Sequence, residues 1–580
     1  MAVGKKQTFL HGAAILAVGT MMVKAIGVLF KIPLNNLLDG VGMAYFSSAY
    51  TIFNTLYALS VAGLPIAVSR LVSQNAVLGR WREIQKILTL SRRLFFISGS
   101  VGFFVMLFAA RSFAELVRNP GAYLAVTAMS PAVLFCCMTA AYRGYFQGLS
   151  NMYPTAVSQV IEALTKLVFG IGFAWIVINK LENEYKLTST VLGMLAADDA
   201  QAAVIISQYS AAAAIAGIVV STAFGTLYCR IRWKAGGDGI TAEQLENSPK
   251  PSGSFGIIKE LLRVAVPVCM GAVVLNVTSL IDMVSIMGCL EKAVLADADI
   301  VRKMYLPYFT KGLRTVDIPA YLYGCYAGIA VTMFNLIPAI TSTIGVSALP
   351  AVTAAWVSGD REKTARSVES VLRVSGIVAF PAGLGLSVMA RPAAELVFSR
   401  SPMEAAVGGQ LLQVLALSAI LVALSTPINS VLQAIGQMTL PVKLMLAGAV
   451  IKLGVNCMFI GIPQINIQAA PFGTLACYII IIGMSLKYLN KHLGVKLRWN
   501  KVFGCSFASA ILCAMAAWSS YGMLKLRISQ PLATLVSIAL GAVIYAISLL
   551  LMGGICKEDV VMLPKGEKIA KLLENKRFLR

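Results

Sequence analysis

Ala114-Glu115-Leu116-Val117 returns letter for letter as Ala394-Glu395-Leu396-Val397. Gly63-Leu64-Pro65-Ile66-Ala67-Val68 returns in outline as Ala348-Leu349-Pro350-Ala351-Val352. Gln147, Pro154 and Lys166 come back as Gln433, Pro441 and Lys452, with nineteen residues from Gln to Lys in both copies. The offsets run from about 280 to 287 positions, so two stretches of similar length follow each other in the same order. Both stretches are apolar throughout. A duplicated bundle of apolar helices suits a transporter, whose halves rock around a site held between them.

The 580 residues are 58% hydrophobic and only 13% charged, and the mean hydropathy is +0.77. Soluble domains carry roughly a quarter charged residues, so this composition belongs to lipid. Runs of about twenty apolar residues, each enough to cross about 30 Å of hydrocarbon, recur near residues 20, 56, 101, 134, 166, 214, 274, 338, 380, 420, 451, 479, 514 and 542. The fold class expected is all-α, a polytopic membrane protein of about 14 spans. The first run lacks a small-x-small cleavage site and reads as a retained helix.

Forty-nine basic residues against 26 acidic ones give +23. In a soluble chain that surplus suggests nucleic acid, but here it sits in alternate loops. Arg80, Arg82, Lys86, Arg92 and Arg93 follow span two, and Arg230, Arg232 and Lys234 follow span six. Arg361, Lys363 and Arg366 follow span eight, and Lys487, Lys491 and Lys496 follow span twelve. The positive-inside rule places these loops and both termini in the cytoplasm of a multi-pass protein of the cell membrane. The charge is read as topology, with no nucleic acid partner. The eleven cysteines are scattered without a CxxC, so no disulfide framework or zinc site is indicated.

The order along the chain is a six-helix lobe at 1–229, a polar cytoplasmic linker at 230–256, and a second six-helix lobe at 257–495. Two further helices at 496–556 and a basic tail at 557–580 complete it. An even number of spans per copy gives parallel repeats. The charge-rich stretch 288–320 is expected to hold a short surface helix, and its Asp297-Ala298-Asp299 is a weak match to a metal-binding DxD. Neither a nucleotide-binding loop nor a Ser/His/Asp arrangement stands out, and the chain is read as a non-enzyme.

Charges deep in spans carry the functional signal, because each costs several kcal/mol unless protein or water receives it. Lys24 lies deep in span one, and Lys31 follows two turns later on nearly the same face. Together they make a basic stripe along a cavity, or Lys31 snorkels to the headgroups. Glu162 and Lys166 stand four apart in span five, as an intrahelical pair or as cavity residues. Lys452 is the repeat mate of Lys166, with Asn456 one turn on, and the two lysines are expected to face one volume. Asp282 in span seven pairs with Lys452, binds a coupling cation, with Asn456 as the second ion-coupling candidate, or carries a proton. Arg70 and Arg143 close spans two and four and either guide an anionic headgroup or are plain basic helix ends.

Two stretches carry a family resemblance. One is Lys6-Gln7-Thr8-Phe9-Leu10-His11-Gly12-Ala13, continued by Gly40-Val41-Gly42-Met43-Ala44-Tyr45 and by Gly63 to Arg70. The more specific one is Arg143-Gly144-Tyr145-Phe146-Gln147-Gly148, followed by Asn151-Met152-Tyr153-Pro154-Thr155-Ala156 and on to Glu162. The chain resembles the SpoVB/YtgP branch of the MurJ-like lipid flippases, in the multidrug/oligosaccharidyl-lipid/polysaccharide exporter superfamily. The resemblance implies two lobes around a solvated cavity and alternating access, with a polyprenyl-pyrophosphate-linked sugar as cargo. It implies that Lys24 and Lys31 line the cavity. Some members of the superfamily bind sodium in the second lobe, where Asp282 suits the role, although Lys452 brings a positive charge of its own.

The expected function is export of an undecaprenyl-pyrophosphate-type cargo, lipid II first, by a monomer in contact with membrane lipids. Another lipid-linked saccharide, or a drug exported against a cation, are the alternatives. No bound cofactor is expected; a coupling cation (Na+ or H+) or the membrane potential supplies the drive.

Overall fold

The computed structural model describes residues 9–554, apart from 62, 238, 310–312, 438 and 494–497. Nearly all of it is helix. In the described residues thirteen helical segments are long and apolar enough to cross a membrane. The remaining expected centre, near 274, falls in a 43-residue helix, Ser254–Ala296. The chain is an all-α, multi-pass membrane protein. The basic tail at 557–580 lies outside the described residues.

Two compact units emerge, one from residues 1–288 with 311–324 and the other from 289–310 with 325–580. The sequence divides the chain at 230–256, where the repeat ends. The packing places most of Ser254–Ala296 and the start of the following span in the first unit.

The first unit is built from α1 (Phe9–Leu37), α2 (Gly40–Val61), α3 (Leu64–Val77), α4 (Trp81–Phe108), α5 (Ala110–Leu116), α6 (Tyr123–Gly148), α7 (Tyr153–Thr188) and α8 (Asp199–Gly236). It adds α9 (Ala242–Glu246) and the greater part of α10 (Ser254–Ala296). Lipid offers little hydrophobic drive between helices, so close backbone approach at small residues holds them together. Gly144 and Gly148 of α6 are the clearest case. A Cβ at Gly144 would stand 2.7 Å from the Pro65 carbonyl oxygen, and one at Gly148 would stand 2.6 Å from Val72 Cβ. The recurrent Leu-Pro segment, with Val72 two turns on, is thus part of the surface on which α6 lies.

Between α7 and α8 a two-residue hairpin pairs Thr190 with Leu195 and Val191 with Met194. Leu192 and Gly193 supply the positive φ values, 56° and 73°, that tight hairpins require. The polar stretch expected to be a linker is docked on α4. Thr241 and Gln244 form a capping box at α9, a reciprocal pair of bonds that starts a helix. Glu83 Oε2 accepts from the Ser252 amide at 2.6 Å, and Lys86 Nζ donates to the Ser252 carbonyl at 2.6 Å. Its Gly, Pro and Ser content supplies turns and exposed amides, and the charged start of α4 captures them.

The second unit contains the short helix α11 (Ala298–Tyr305), most of the span that begins with α12 (Ile318–Cys325), α13 (Val331–Phe334), α14 (Leu336–Val357), α15 (Arg361–Val388), α16 (Ala390–Val397) and α17 (Pro402–Ala434). It continues with α18 (Leu440–Val455), α19 (Ala469–Leu493), α20 (Cys505–Leu524) and α21 (Gln530–Leu551). Asp297 caps α11, accepting from the Ile300 amide at 2.9 Å. That accounts for its place in the DxD sequence without a metal. The added helices pack on α15, where Phe380 meets Phe503 and Phe507 edge-on and Tyr545 donates to the Ile377 carbonyl at 2.7 Å.

The repeat is visible in detail. Helices α4 and α15 are each 28 residues long. Each is followed by a short helix with an Arg–Glu pair one turn apart. Arg111 meets Glu115 at 3.3 Å, and Arg391 meets Glu395 at 2.7 Å.

Candidate functional site: a lysine pair on an aromatic face

Helix α1 runs alongside α7 in the same direction, because Gly19 meets Ala156 and, further on, Phe30 meets Gly170. The glycine admits the Phe30 ring, which would stand 2.7 Å from a Cβ at 170. This register brings the Lys166 ammonium over the Phe30 ring, 4.6 Å from its centroid. Tyr50 of α2 offers a second ring at 5.0 Å. Each face presents the negative part of its quadrupole to the cation, worth about 0.5–2 kcal/mol depending on desolvation. Lys31, next to Phe30, is half-buried and close enough for its charge to act on that of Lys166. Two lysines from different spans therefore share one place in the first unit.

Tyr50 belongs to an aromatic ladder that the sequence reading did not single out. Phe46, Tyr50, Phe53 and Tyr57 follow one another at ring-centroid distances of 6.0, 6.1 and 5.8 Å. The signal was available in the sequence: spacings of four, three and four residues keep one face of a helix.

Glu162 does not pair with Lys166. Its carboxylate reaches Arg143 of α6, with Nη2 3.0 Å from Oε1, and Arg143 Nε donates to Ser158 Oγ at 2.9 Å. Gly225 of α8 makes room for this, since a Cβ there would stand 2.2 Å from Glu162 Oε1. Arg143 is consequently not a basic helix end: its side chain is 17% exposed and lies within the unit. The reason is depth along the helix. Five residues of α6 follow Arg143 before it ends at Gly148, enough to draw the side chain between α6 and α7. Glu162 thus answers the charge of Arg143 rather than that of Lys166.

Lys24 is exposed on α1, seven residues before Lys31, or about 10 Å along the axis. Arg70 is exposed on α3. Asp282 is half-buried on α10 and belongs to the first unit, whereas Lys452 and Asn456 belong to the second. In that second unit both lean on Gly473 of α19, where a Cβ would stand 2.8 Å from Asn456 Oδ1 and 3.4 Å from Lys452 Cγ. Asn456 also opens a π-helical turn, Asn456–Ile460, a local widening that is frequent at functional sites.

Such a cluster suits a multivalent anion. Ammonium groups are compact donors that replace water around phosphate oxygens, and a site away from bulk water strengthens each contact. The two aromatic faces hold the Lys166 ammonium in place without removing its charge.

Known proteins share this architecture. Lipid II flippase MurJ of Bacillus subtilis (strain 168) is 23% identical over 500 residues, covering 84% of this chain and 83% of the relative. Stage V sporulation protein B of the same organism is 22% identical over 564 residues, covering 96% and 98%. Among solved structures, a lipid II flippase MurJ in an inward closed conformation superposes with a TM-score of 0.59 at 14% identity, over 92% of this chain and 98% of that one. An inward-facing multidrug resistance transporter of the MATE family gives 0.61 at 13% identity, over 82% and 98%. These likenesses establish the shared fold. A MatE family model matches residues 326–458, while the model described as polysaccharide biosynthesis protein matches residues 9–357, more than half of the chain. The chain belongs to the polysaccharide biosynthesis protein family.

Proposed function

We propose that this protein is a flippase for a polyprenyl-pyrophosphate-linked saccharide, with lipid II of peptidoglycan or spore-cortex synthesis as the first candidate cargo. The observation that carries this reading is Lys166 over Phe30 and Tyr50 with the charge of Lys31 acting on it, while Arg143 is already neutralised by Glu162. A diphosphate has the charge to answer two desolvated ammonium groups. The likeness to MurJ and to the stage V sporulation protein supports the choice of cargo class.

Transport proceeds by alternating access, without covalent chemistry, in a monomer that meets its cargo in the surrounding lipid. With the basic loops and both termini in the cytoplasm, an anionic headgroup moves toward a positive exterior. That motion is downhill by about 2.3 kcal/mol per charge per 100 mV, so the membrane potential is a sufficient drive. A sodium site on Asn456 is poorly matched, because Lys452 stands one turn away with a charge of the same sign. Cationic drugs suit the first unit badly for the same reason. Another lipid-linked repeat unit satisfies the same anion chemistry, and only the sugar distinguishes it.

The test is complementation of a strain depleted of its lipid II flippase. The wild-type chain restores growth and Lys166→Ala does not, at equal protein level. Growth with Lys166→Ala would sink the anion-site assignment. Failure of the wild-type chain alongside restored export of another lipid-linked saccharide would transfer the site to that cargo.

A further inference from the structure

A second cluster lies in the first unit, on helices α4, α6 and α8, and the reading above makes no use of it. The Arg92 guanidinium stands over two rings, 5.1 Å from the centroid of Trp233 and 5.6 Å from that of Tyr142. The rings themselves are 6.2 Å apart at 48°. Tyr142 is only 1% exposed, yet its hydroxyl has no hydrogen-bond partner, and neither has the buried Nε of Arg92. Arg230, exposed on α8, is the other cation whose charge acts on the Tyr142 hydroxyl.

Unfilled buried donors beside two guanidinium groups specify their occupant closely. An unpaired buried hydroxyl costs about 1–3 kcal/mol, and roughly nine in ten buried polar groups in proteins are paired. A water molecule would satisfy the hydroxyl but would leave the two positive charges unanswered. A carboxylate would answer one of them. A phosphate group offers several strong acceptor oxygens and enough charge for Arg92 and Arg230 together, in the fork geometry that arginine favours.

The position along the helices agrees. Trp233 is three residues from the end of α8 at Gly236, and Tyr142 is six from the end of α6 at Gly148. At 1.5 Å per residue these are depths of about 5 and 9 Å, the level of lipid headgroups and of interfacial tryptophan. Basic pockets between spans at that level are suited to anionic headgroups.

We infer that Arg92, Tyr142 and Arg230 form a binding site for a phosphate group, with Trp233 as its wall. The half-buried Arg92 and the exposed Arg230 answer the phosphate charge, and binding opens the enclosed Tyr142 hydroxyl and Arg92 Nε to donate to its oxygens. The site is independent of the transported cargo.

The experiment measures binding to the purified full chain in detergent by native mass spectrometry. Phosphatidylglycerol, phosphatidylcholine and inorganic phosphate are the separate probes. The wild-type chain retains phosphatidylglycerol in preference to phosphatidylcholine, and Tyr142→Phe weakens that retention about tenfold. Arg230→Gln weakens it similarly, and because Arg230 is exposed this variant keeps the test valid where Tyr142→Phe compromises folding. Displacement of phosphatidylglycerol by inorganic phosphate would show that the phosphate group alone is recognised. Resistance to displacement would assign the site to an intact lipid headgroup. Equal retention of the two lipids, or wild-type retention of phosphatidylglycerol in Arg230→Gln and a folded Tyr142→Phe, would overturn the proposal.

Discussion

Arg143 and Glu162 meet at 3.0 Å between α6 and α7, with only 17% and 21% of their side chains exposed. Each is the condition for the other's burial. A buried charge that loses its partner costs about 3–5 kcal/mol, whereas removing both charges together is often neutral. Arg143→Met and Glu162→Met are therefore each expected to lower the thermal midpoint in detergent. The double variant recovers most of the loss, and additive losses would show that the pair contributes nothing specific.

Gly225 acts through the same pair. A Cβ at that position would lie 2.2 Å from Glu162 Oε1, 2.6 Å from its Cγ and 2.7 Å from its Cδ. Gly225→Val must displace the carboxylate from Arg143 and should reproduce the Glu162→Met defect. In a Glu162→Ala background the same substitution should cost much less, since the clashing atoms are gone. Equal cost in the two backgrounds would place the strain elsewhere.

Lys31 and Lys166 are where stability and function oppose each other. Two neighbouring ammonium groups in a partly dehydrated place repel, and the aromatic faces offset only part of that cost. Lys31→Met is expected to raise the thermal midpoint, by an amount corresponding to about 1 kcal/mol, while reducing complementation at least tenfold. Lys166→Arg tests shape as well as charge, because guanidinium is a planar fork in place of a point charge; partial activity is expected. A stabilised Lys31→Met that transports normally would remove the lysine pair from the transport reading.

Asp39, in the turn between α1 and α2, gives a pH signature. Its Oδ1 accepts from the Gly42 amide at 2.6 Å and its Oδ2 from Ser207 Oγ at 2.9 Å. Burial nevertheless dominates and raises its pKa above the usual carboxylate value; those two bonds oppose the rise and the nearby Asp317 adds to it. The folded chain thus holds this proton to higher pH than the unfolded chain does. The contribution of Asp39 to stability is fully present below its unfolded pKa and is lost as pH rises through the folded one. Asp39→Asn should therefore gain on the wild type as pH rises from acid toward neutral, in melting curves taken across that range. A constant difference between the two proteins would refute the assignment.

Much of the architecture was legible because it is written locally. Apolar runs of a span's length, Gly and Pro at helix ends, and paired landmarks such as Gln147 with Gln433 need no knowledge of neighbours. The short charged helix Ala298–Tyr305 falls within the stretch where charge density suggested one. The docked segment that ends at Ser252 was not legible, since its hydrogen bonds go to Glu83 and Lys86, more than 160 residues earlier in the chain.

The site divides along the same line. The sequence by itself determined that this is a helical membrane protein with repeated landmarks, and it singled out Lys24, Lys31, Lys166 and Lys452 as charges within apolar runs. It could not determine which charges neutralise each other. A helical spacing of four makes Glu162 and Lys166 neighbours on one surface, but the surface pair yields when another helix presents a guanidinium at 3.0 Å. Only the tertiary structure decided that Arg143 takes Glu162, because Gly225 leaves the space, and that Lys166 is thereby given to Lys31 and two aromatic rings. Depth in a span is a property of the chain, whereas the partner of a charge is a property of the helices packed beside it.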